Sequence, residues 1–197
     1  MANEWDDWAE SWESNESTGL YAENAFQQLM GSVDLNNKEV LDFGCGTGLL
    51  SQKMSPLAKN IVALDSSEAM IEQLDKKELP NVEPVVDSLT RGLVAQHPAF
   101  RKQFDVVVAS SVCGFLKSFS EAVDIIYAIL DNGGTFIHFD WLNEHGEEEN
   151  GLAENKIKQV LTSVGFETVS VSEPFSIAIE GGSKKVIMGL ARKSDSM

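Results

Sequence analysis

The chain has 197 residues, 43% of them hydrophobic, which excludes an intrinsically disordered protein and fits one ordinary globular domain. Its 31 acidic residues outnumber its 15 basic ones, so the formal net charge of −16 argues against partners with phosphate backbones or anionic lipid surfaces. Two cysteines exclude a disulfide framework, and without a stretch of about 18 apolar residues we expect a cytoplasmic protein with reduced thiols and no membrane-spanning helix.

The first 37 residues carry eight acids and neither lysine nor arginine. Within them, Trp5, Trp8 and Trp12 recur at i, i+3 and i+7, which predicts one face of a helix, and a second helix is expected over roughly 18–32. We therefore predict that residues 1–37 form a helical cap. Three interpretations remain open: a helix packed on the domain, a lid over an active site, or a helix that binds a partner protein.

From Lys38 onward, short apolar runs alternate with longer segments of helical periodicity. The runs that predict strands are KEVLDF, NIVALD, NVEPVV, FDVVVAS and GGTFIHFD. The helices are expected at 47–56, 67–76, about 89–98, 118–130 and 152–164, with serine caps on the second and the fourth. This alternation is typical of βαβ units, and it predicts a parallel sheet covered on both faces.

The last part of the chain breaks this alternation. Two β-rich runs, FETVSVSEPFSIAIE and KKVIMGLAR, are joined only by residues 181–183, and so short a link permits only an antiparallel hairpin. We therefore expect a single α/β domain over 1–197, whose core at 38–197 is a doubly wound, seven-stranded, mostly parallel sheet ending in that hairpin.

The stretch VLDFGCGTGLL, residues 40–50, is a strand that ends in Asp42 and is followed by three alternating glycines and a helix. Such glycines let the backbone turn tightly and approach a ligand closely. Asp65 closes the next strand, where an acid can accept both hydroxyls of a ribose. A dinucleotide site has the spacing G-x-G-x-x-G, whereas this turn reads G-x-G-x-G after a carboxylate that would repel a pyrophosphate. The pattern suits a ligand with an ammonium group and a cationic sulfur, such as S-adenosylmethionine.

Further motifs follow at regular intervals. In chain order they are LDFGCGTG at 41–48, DSSEAM at 65–70, VVDSL at 85–89, FDVVVASSVCGFL at 104–116 and LDNGGTFIHFD at 130–140. Together they make residues 38–141 resemble the cofactor-binding core of the class I S-adenosylmethionine-dependent methyltransferases, in particular their small-molecule group. The resemblance implies a Rossmann-like methyltransferase fold, S-adenosylmethionine as cofactor and S-adenosylhomocysteine as product.

The resemblance also implies roles for single residues. The methionine portion of the cofactor would contact Tyr21, Asp42 and the backbone of the glycine turn, and Asp65 would hold the ribose. The full set of implied cofactor-binding residues is Tyr21, Asp42, Gly44, Cys45, Gly46, Gly48, Asp65, Ser66, Met70, Asp87, Ser88, Ala109 and Ser110. Structural interpretations stay open for some of them: the three aspartates as helix caps, Met70 as a core residue, and Cys45, like Cys113, as a small buried residue.

Methyl transfer from a sulfonium needs no acid for its neutral leaving group, and it needs a base only if the acceptor carries a proton at attack. Where many relatives have a histidine after the fourth strand, this chain has Gly114. The remaining candidate bases are His138, Asp140 and His145, although a histidine within a strand is often structural. With Glu144 and residues 147–149 they could form a divalent metal site, but consecutive glutamates are typical of a solvated loop, and we expect no metal.

The sequence therefore predicts a methyltransferase that acts on a neutral or cationic small molecule, without a nucleic-acid or membrane partner. The N-terminal helices and the 141–152 loop are expected to close its pocket. Two alternatives remain: a non-catalytic module that binds the cofactor or a protein partner, and, disfavoured by the glycine spacing, an NAD-dependent oxidoreductase. The identity of the acceptor, its reacting atom and the oligomeric state do not follow from the sequence.

Overall fold

A computed structural model describes residues 4–145 and 150–195. Its strands are β1 (Glu39–Phe43), β2 (Asn60–Asp65), β3 (Val82–Val86), β4 (Phe104–Ser110), β5 (Leu130–Trp141), β6 (Thr168–Ile179) and β7 (Gly182–Arg192). Its α-helices are α1 (Glu16–Ser32), α2 (Leu49–Met54), α3 (Glu68–Asp75), α4 (Arg91–Gln96), α5 (Phe119–Ile129) and α6 (Glu154–Val164). The alternation of strands and helices from β1 to α6 confirms the predicted βαβ organisation.

The seven strands form one sheet in the order β3-β2-β1-β4-β5-β7-β6. The first five are parallel to one another, and β7 pairs antiparallel with both β5 and β6. The predicted seven-stranded fold and its C-terminal hairpin are thus confirmed. Because β1 has neighbours on both sides, connections run outward from it in opposite directions, and the carboxyl ends of β1 and β4 lie at the crevice where open α/β sheets bind ligands.

Both faces of the sheet are buried. On one face, α1 and α2 cover alternate strand residues such as Val40, Val108 and Phe139. On the other face, α4, α5 and α6 cover Leu41, Val107 and Phe136, which lie in between. This explains why the parallel strands appear in the sequence as continuous apolar runs rather than as alternating ones.

Some predicted helix and strand limits were too wide or too narrow. Helix α2, expected from residue 47, begins at Leu49, because Gly48 adopts a left-handed conformation with φ of 83°. The helix expected at about 89–98 ends at Gln96, since Pro98 cannot continue it and starts a short 3₁₀ turn. Strand β5 begins at Leu130, directly after α5.

The prediction of a tryptophan-bearing helix is wrong. Residues 6–8 and 12–14 form two separate 3₁₀ turns, and the first α-helix starts only at Glu16, capped by Asn15. Trp5 packs edge-on against Trp12, with ring centroids 6.1 Å apart, whereas Trp8 is 59% exposed, so the three indoles do not share one face. Contacts with the rest of the domain, described below, override the helical periodicity. The second predicted helix, over 18–32, is confirmed as α1.

None of the helices in the described ranges is both long and apolar enough to span a bilayer.

Candidate active site

The glycine-rich turn follows β1 and is clamped by the neighbouring strands. Gly44, Gly46 and Gly48 have φ of 68°, 55° and 83°, a region that L-residues with side chains rarely adopt. The N–H groups of Gly44 and Cys45 both donate to the carbonyl of Leu64, at 2.7 and 3.0 Å. A Cβ on Gly44 would lie 2.2 Å from Val112 Cγ2, so the turn fits only as glycine against the segment after β4.

Asp65 ends β2 beside this turn. Its Oδ2 accepts from the N–H of Gly46 at 2.8 Å, and its Oδ1 accepts from the N–H of Ser67 at 2.9 Å. Burial raises the pKa of the Asp65 carboxyl, and the charge of Asp6 adds to this effect. The cap of α3 is the hydroxyl of Ser67, which accepts from Met70 N, so the alternative that Asp65 caps this helix is wrong. Asp65 is thereby held between the glycine turn and the start of α3.

Asp42 lies in β1, one residue before the strand ends, and its side chain is 1% exposed. Ser51 Oγ of α2 donates to Asp42 Oδ2 at 2.6 Å. Burial raises the pKa of this carboxyl to about 7, while the Ser51 hydroxyl opposes the shift and the charge of Asp65 adds to it. Two carboxyl groups thus lie close enough to interact beneath the glycine turn.

The other residues implied to bind the cofactor differ in exposure. Cys45, Met70 and Ala109 are buried, Ser110 is half-buried, and Ser66, Asp87 and Ser88 are exposed. Asp87 follows β3, and its N–H donates to the Asp65 carbonyl at 3.0 Å, which brings the ends of β2 and β3 together. Its own carboxylate accepts from Ser88 N at 2.7 Å.

Residues 5–14, which we call the N-terminal strap, lie across the glycine turn. Asp6 Oδ1 accepts from Ser67 Oγ at 2.5 Å, and Glu13 Oε1 accepts from Thr47 Oγ1 at 2.7 Å and from Lys77 Nζ at 2.6 Å. Trp5 packs edge-on against Phe115 after β4, with centroids 5.2 Å apart. These contacts link the strap to the turns that follow β1, β2 and β4.

Sequence reasoning missed these strap contacts as individual residues. Asp6 and Glu13 stood out only as two members of a run of acids without a neighbouring base. Their partners are 61 and 34 residues or more away along the chain, and no local pattern relates them.

Three polar side chains meet where β4 and β5 end. The ligand-capable atoms of Cys113, His138 and Asp140 lie within 4.8 Å of one another, and all three side chains are buried. Asp140 Oδ1 accepts from Gly114 N at 2.7 Å, and His138 Nδ1 is 2.7 Å from Asp140 Oδ2. Because a carboxylate only accepts, Nδ1 carries the proton of this bond. This hydrogen bond occupies His138 Nδ1 and Asp140 Oδ2.

Tyr21 of α1 approaches the same corner from the other face of the sheet. Its ring packs edge-on against Trp141 and Phe175, and its hydroxyl is buried without a hydrogen-bond partner among the described residues. Burial raises the pKa of Tyr21 well above its ordinary value, the charge of Asp140 adds to the effect, and the Ser111 side chain opposes it. Ser111, with φ of 59°, turns the chain out of β4 beside this hydroxyl.

The structure separates the third candidate base from the other two. The side chain of His145 is 77% exposed and lies 4.0 Å from Glu144, far less buried than His138 and Asp140. The glutamates considered as metal ligands at 147–149 lie outside the described residues. Burial raises the pKa of both Cys45 and Cys113 well above the ordinary value, so these thiols are protonated, consistent with their interpretation as small buried residues.

Comparison with known proteins agrees with this geometry. A family model described as "Methyltransferase domain" matches residues 20–171. Ribosomal protein L11 methyltransferase of Shewanella baltica is 35% identical over 127 residues, which cover 60% of this chain but only 39% of that protein. The chain thus spans about two fifths of the length of that curated relative.

Solved structures share the fold at low sequence identity. A methyltransferase in complex with the Trm112 activator of Haloferax volcanii has a TM-score of 0.79 at 14% identity, covering 98% of this chain and 99% of that one. The DhpI-SAM-HEP complex has a TM-score of 0.75 at 18% identity, covering 95% and 94%. The family model matches more than half of the sequence. The chain therefore belongs to the methyltransferase-domain family, within the class I S-adenosylmethionine-dependent group.

Proposed function

We propose that the chain transfers the methyl group of S-adenosylmethionine to a small-molecule acceptor that is neutral or cationic. The observation that carries this proposal is the glycine turn after β1, held between the carboxyl groups of Asp42 and Asp65 at the crevice of the sheet. Asp42, the three glycines and Asp65 all lie at the carboxyl ends of β1 and β2, which are adjacent and parallel. Open α/β folds bind their ligands at this end of the sheet.

The residues present fit this cofactor. The left-handed glycines leave the surface of the turn free of side chains. Even a Cβ added at Gly46 would come no closer than 4.0 Å to its nearest neighbour, Trp12 Nε1, so there is room beside the turn. The Asp65 carboxylate accepts backbone hydrogen bonds from Gly46 and Ser67, with the Ser66 N–H also beside it, and since a carboxylate has about four acceptor sites, capacity remains for ribose hydroxyls. Carboxyl groups at Asp42 and Asp65 suit a ligand with an ammonium group and a sulfonium, and they oppose a pyrophosphate, which disfavours the oxidoreductase alternative.

When bound, the cofactor supplies an electrophilic methyl group on a positively charged sulfur. The chain contributes alignment of the acceptor with that methyl group, which can account for about 7–11 kcal/mol of the barrier. It also excludes water by burying the corner formed by Tyr21, Cys113 and Asp140. No residue has to protonate the leaving group, which departs as a neutral thioether.

The charge distribution supports a neutral or cationic acceptor over a polyanion. The strap carries Asp6, Asp7, Glu10 and Glu13 at the edge of the site, in a chain whose formal net charge is −16. A field of this sign lowers the local concentration of anionic substrates. The contacts of the strap with the turns after β1, β2 and β4 also support a role for the strap as a lid over the bound cofactor. This lid consists of two short 3₁₀ turns rather than of a continuous helix.

Isothermal titration calorimetry with S-adenosylmethionine tests the cofactor assignment. We expect the wild type to bind and Asp65→Ala to lose most of its affinity, because the ribose loses its acceptor. Asp75→Ala, the same change at an exposed position on α3, is the matched control and should bind like the wild type. Absence of binding by the wild type, or equal affinity in Asp65→Ala, would refute the assignment, and tight NADH binding would favour the oxidoreductase instead.

A further inference from the structure

The corner beyond β4 and β5 contains polar groups whose hydrogen-bonding capacity the fold leaves unused. The Tyr21 hydroxyl is buried, with the residue 7% exposed, and it makes no hydrogen bond of standard geometry within the described residues, although the Ser111 side chain lies close enough to lower its pKa. Asp140 accepts one hydrogen bond at each oxygen, from Gly114 N and from His138, which leaves further lone pairs. Buried polar groups of native proteins are normally satisfied, so the Tyr21 hydroxyl indicates a ligand that completes it. His138 Nε2, also without a partner in the part of the chain that the structure describes, lies against Gly189 instead.

The position of Asp140 is rigidly determined by its neighbours. The His138 ring stacks on Phe136 with centroids 5.2 Å apart, and a Cβ on Gly189 would lie 2.2 Å from His138 Nε2. The ring therefore packs between Phe136 and the backbone of Gly189, where a larger residue would collide with it, and its Nδ1 hydrogen-bonds the Asp140 carboxylate. His138 is thus a positioning residue, and it faces the core rather than the cofactor turn.

The corner is electrostatically one-sided. Within the described residues, His138 is the only basic side chain that pairs with Asp140. No lysine or arginine in this part of the chain lies within ion-pair distance of the Asp140 carboxylate. The neighbouring Tyr21 and Cys113 side chains are neutral donors, since their pKa values are raised. A bound group that carries a proton and a positive charge matches this corner, whereas a carboxylate, phenolate or thiolate is repelled by Asp140.

Resting on the proposed function, we infer that Tyr21, Cys113 and Asp140 form the acceptor subsite, and that its acceptor is an alkylamine which arrives as an ammonium ion. The amine donates to Asp140 and to Tyr21 Oη, and this orients its nitrogen toward the methyl group. This assigns the substrate class of the site and gives Asp140 a direct role as proton acceptor.

The step balances as follows. The ammonium gives one N–H proton to the Asp140 carboxylate, and the nitrogen recovers its lone pair. The nitrogen then forms the new N–C bond with the methyl group while the C–S bond breaks, and the electrons of that bond return to sulfur. The products are a secondary ammonium ion, S-adenosylhomocysteine and a protonated Asp140, which returns its proton to water.

The experiment uses the full chain with methyl-deuterated S-adenosylmethionine and a panel of amines, alcohols, thiols and carboxylates on matched carbon skeletons, with products identified by mass spectrometry. We expect transfer to alkylamines. In Asp140→Asn, kcat for an alkylamine should fall by about 100-fold, the size of a typical general-base contribution, and much less for an aniline, which arrives neutral. Asp124→Asn, the same change in a surface ion pair on α5, should leave both rates unchanged.

Calorimetry of the cofactor separates the possible failures. If the wild type does not bind S-adenosylmethionine, the proposed function itself fails. If it binds and methylates oxygen, sulfur or carboxylate acceptors but no amine, or if Asp140→Asn slows alkylamine and aniline equally, the subsite assignment is overturned. Should Asp140→Asn not fold, Tyr21→Phe decides: it should raise the KM for the amine several-fold, by a larger factor than it weakens cofactor binding, and an unchanged KM contradicts the proposal.

Discussion

The stability of the cofactor-free protein should fall as the pH rises, because Asp42 is buried. In the folded protein burial raises the pKa of Asp42 from 3.8 to about 7, whereas in the unfolded chain the carboxyl is hydrated and keeps its ordinary value. Between these two pH values the folded state holds a proton that the unfolded state has lost. The linkage relation then requires the free energy of unfolding to decrease with increasing pH across this window.

The magnitude follows from the size of the shift. At 1.36 kcal/mol per pKa unit, a change from 3.8 to about 7 corresponds to about 4 kcal/mol of stability, fully present below pH 4 and lost above pH 7. Asp42→Asn removes the titration while retaining an oxygen that accepts from Ser51 Oγ. The variant should therefore have a flatter pH dependence, with a residual slope from Asp65, whose pKa is also raised.

Urea denaturation followed by circular dichroism, at intervals from pH 4 to pH 8, measures this slope directly. Asp124→Asn, at an exposed position, is the control for removing an acid and should follow the wild type. A pH dependence in Asp42→Asn that matches the wild-type curve would refute the reasoning, since the slope would then come from other groups.

Three further changes test the packing around the site. Gly44→Ala should destabilise the protein by at least about 1–2 kcal/mol in urea denaturation and abolish cofactor binding, because its φ is 68° and its Cβ would meet Val112. Glu13→Gln breaks the ion pair with Lys77, so chymotrypsin should cleave the strap up to about 5-fold faster, as expected for a partly exposed pair worth about 1 kcal/mol or less. Leu29→Ala, at a fully buried position of α1, should cost about 2–5 kcal/mol by the same denaturation assay; unchanged stability, cleavage or binding would contradict the respective contact.

Much of the fold follows from local patterns. Continuous apolar runs such as NIVALD predict strands buried on both faces, and the structure has β2 over Asn60–Asp65 as expected. The two-residue connection between β6 and β7 allows only an antiparallel pair. The glycine turn could be predicted because its backbone adopts positive φ angles that favour glycine, and the three glycines at alternate positions are visible in the sequence.

Other features depended on distant contacts and were missed or misjudged. The tryptophan periodicity predicted a helix, but Ser14 Oγ donates to the carbonyl of Ser11 and Asp6 bonds to Ser67, and these bonds favour short turns instead. His138, Asp140 and His145 looked equivalent as candidate bases, and only burial and the 2.7 Å hydrogen bond distinguish the first two from the exposed third.

The sequence by itself determined the α/β alternation, the C-terminal hairpin and the acid-and-glycine turn, because each depends on neighbours within a few residues. Only the tertiary structure decided where the strap lies, how far the pKa of Asp42 is raised, and that Tyr21 meets Cys113 and Asp140 at one corner. These properties arise from burial and from contacts between residues far apart in the chain, and neither is encoded in a local pattern.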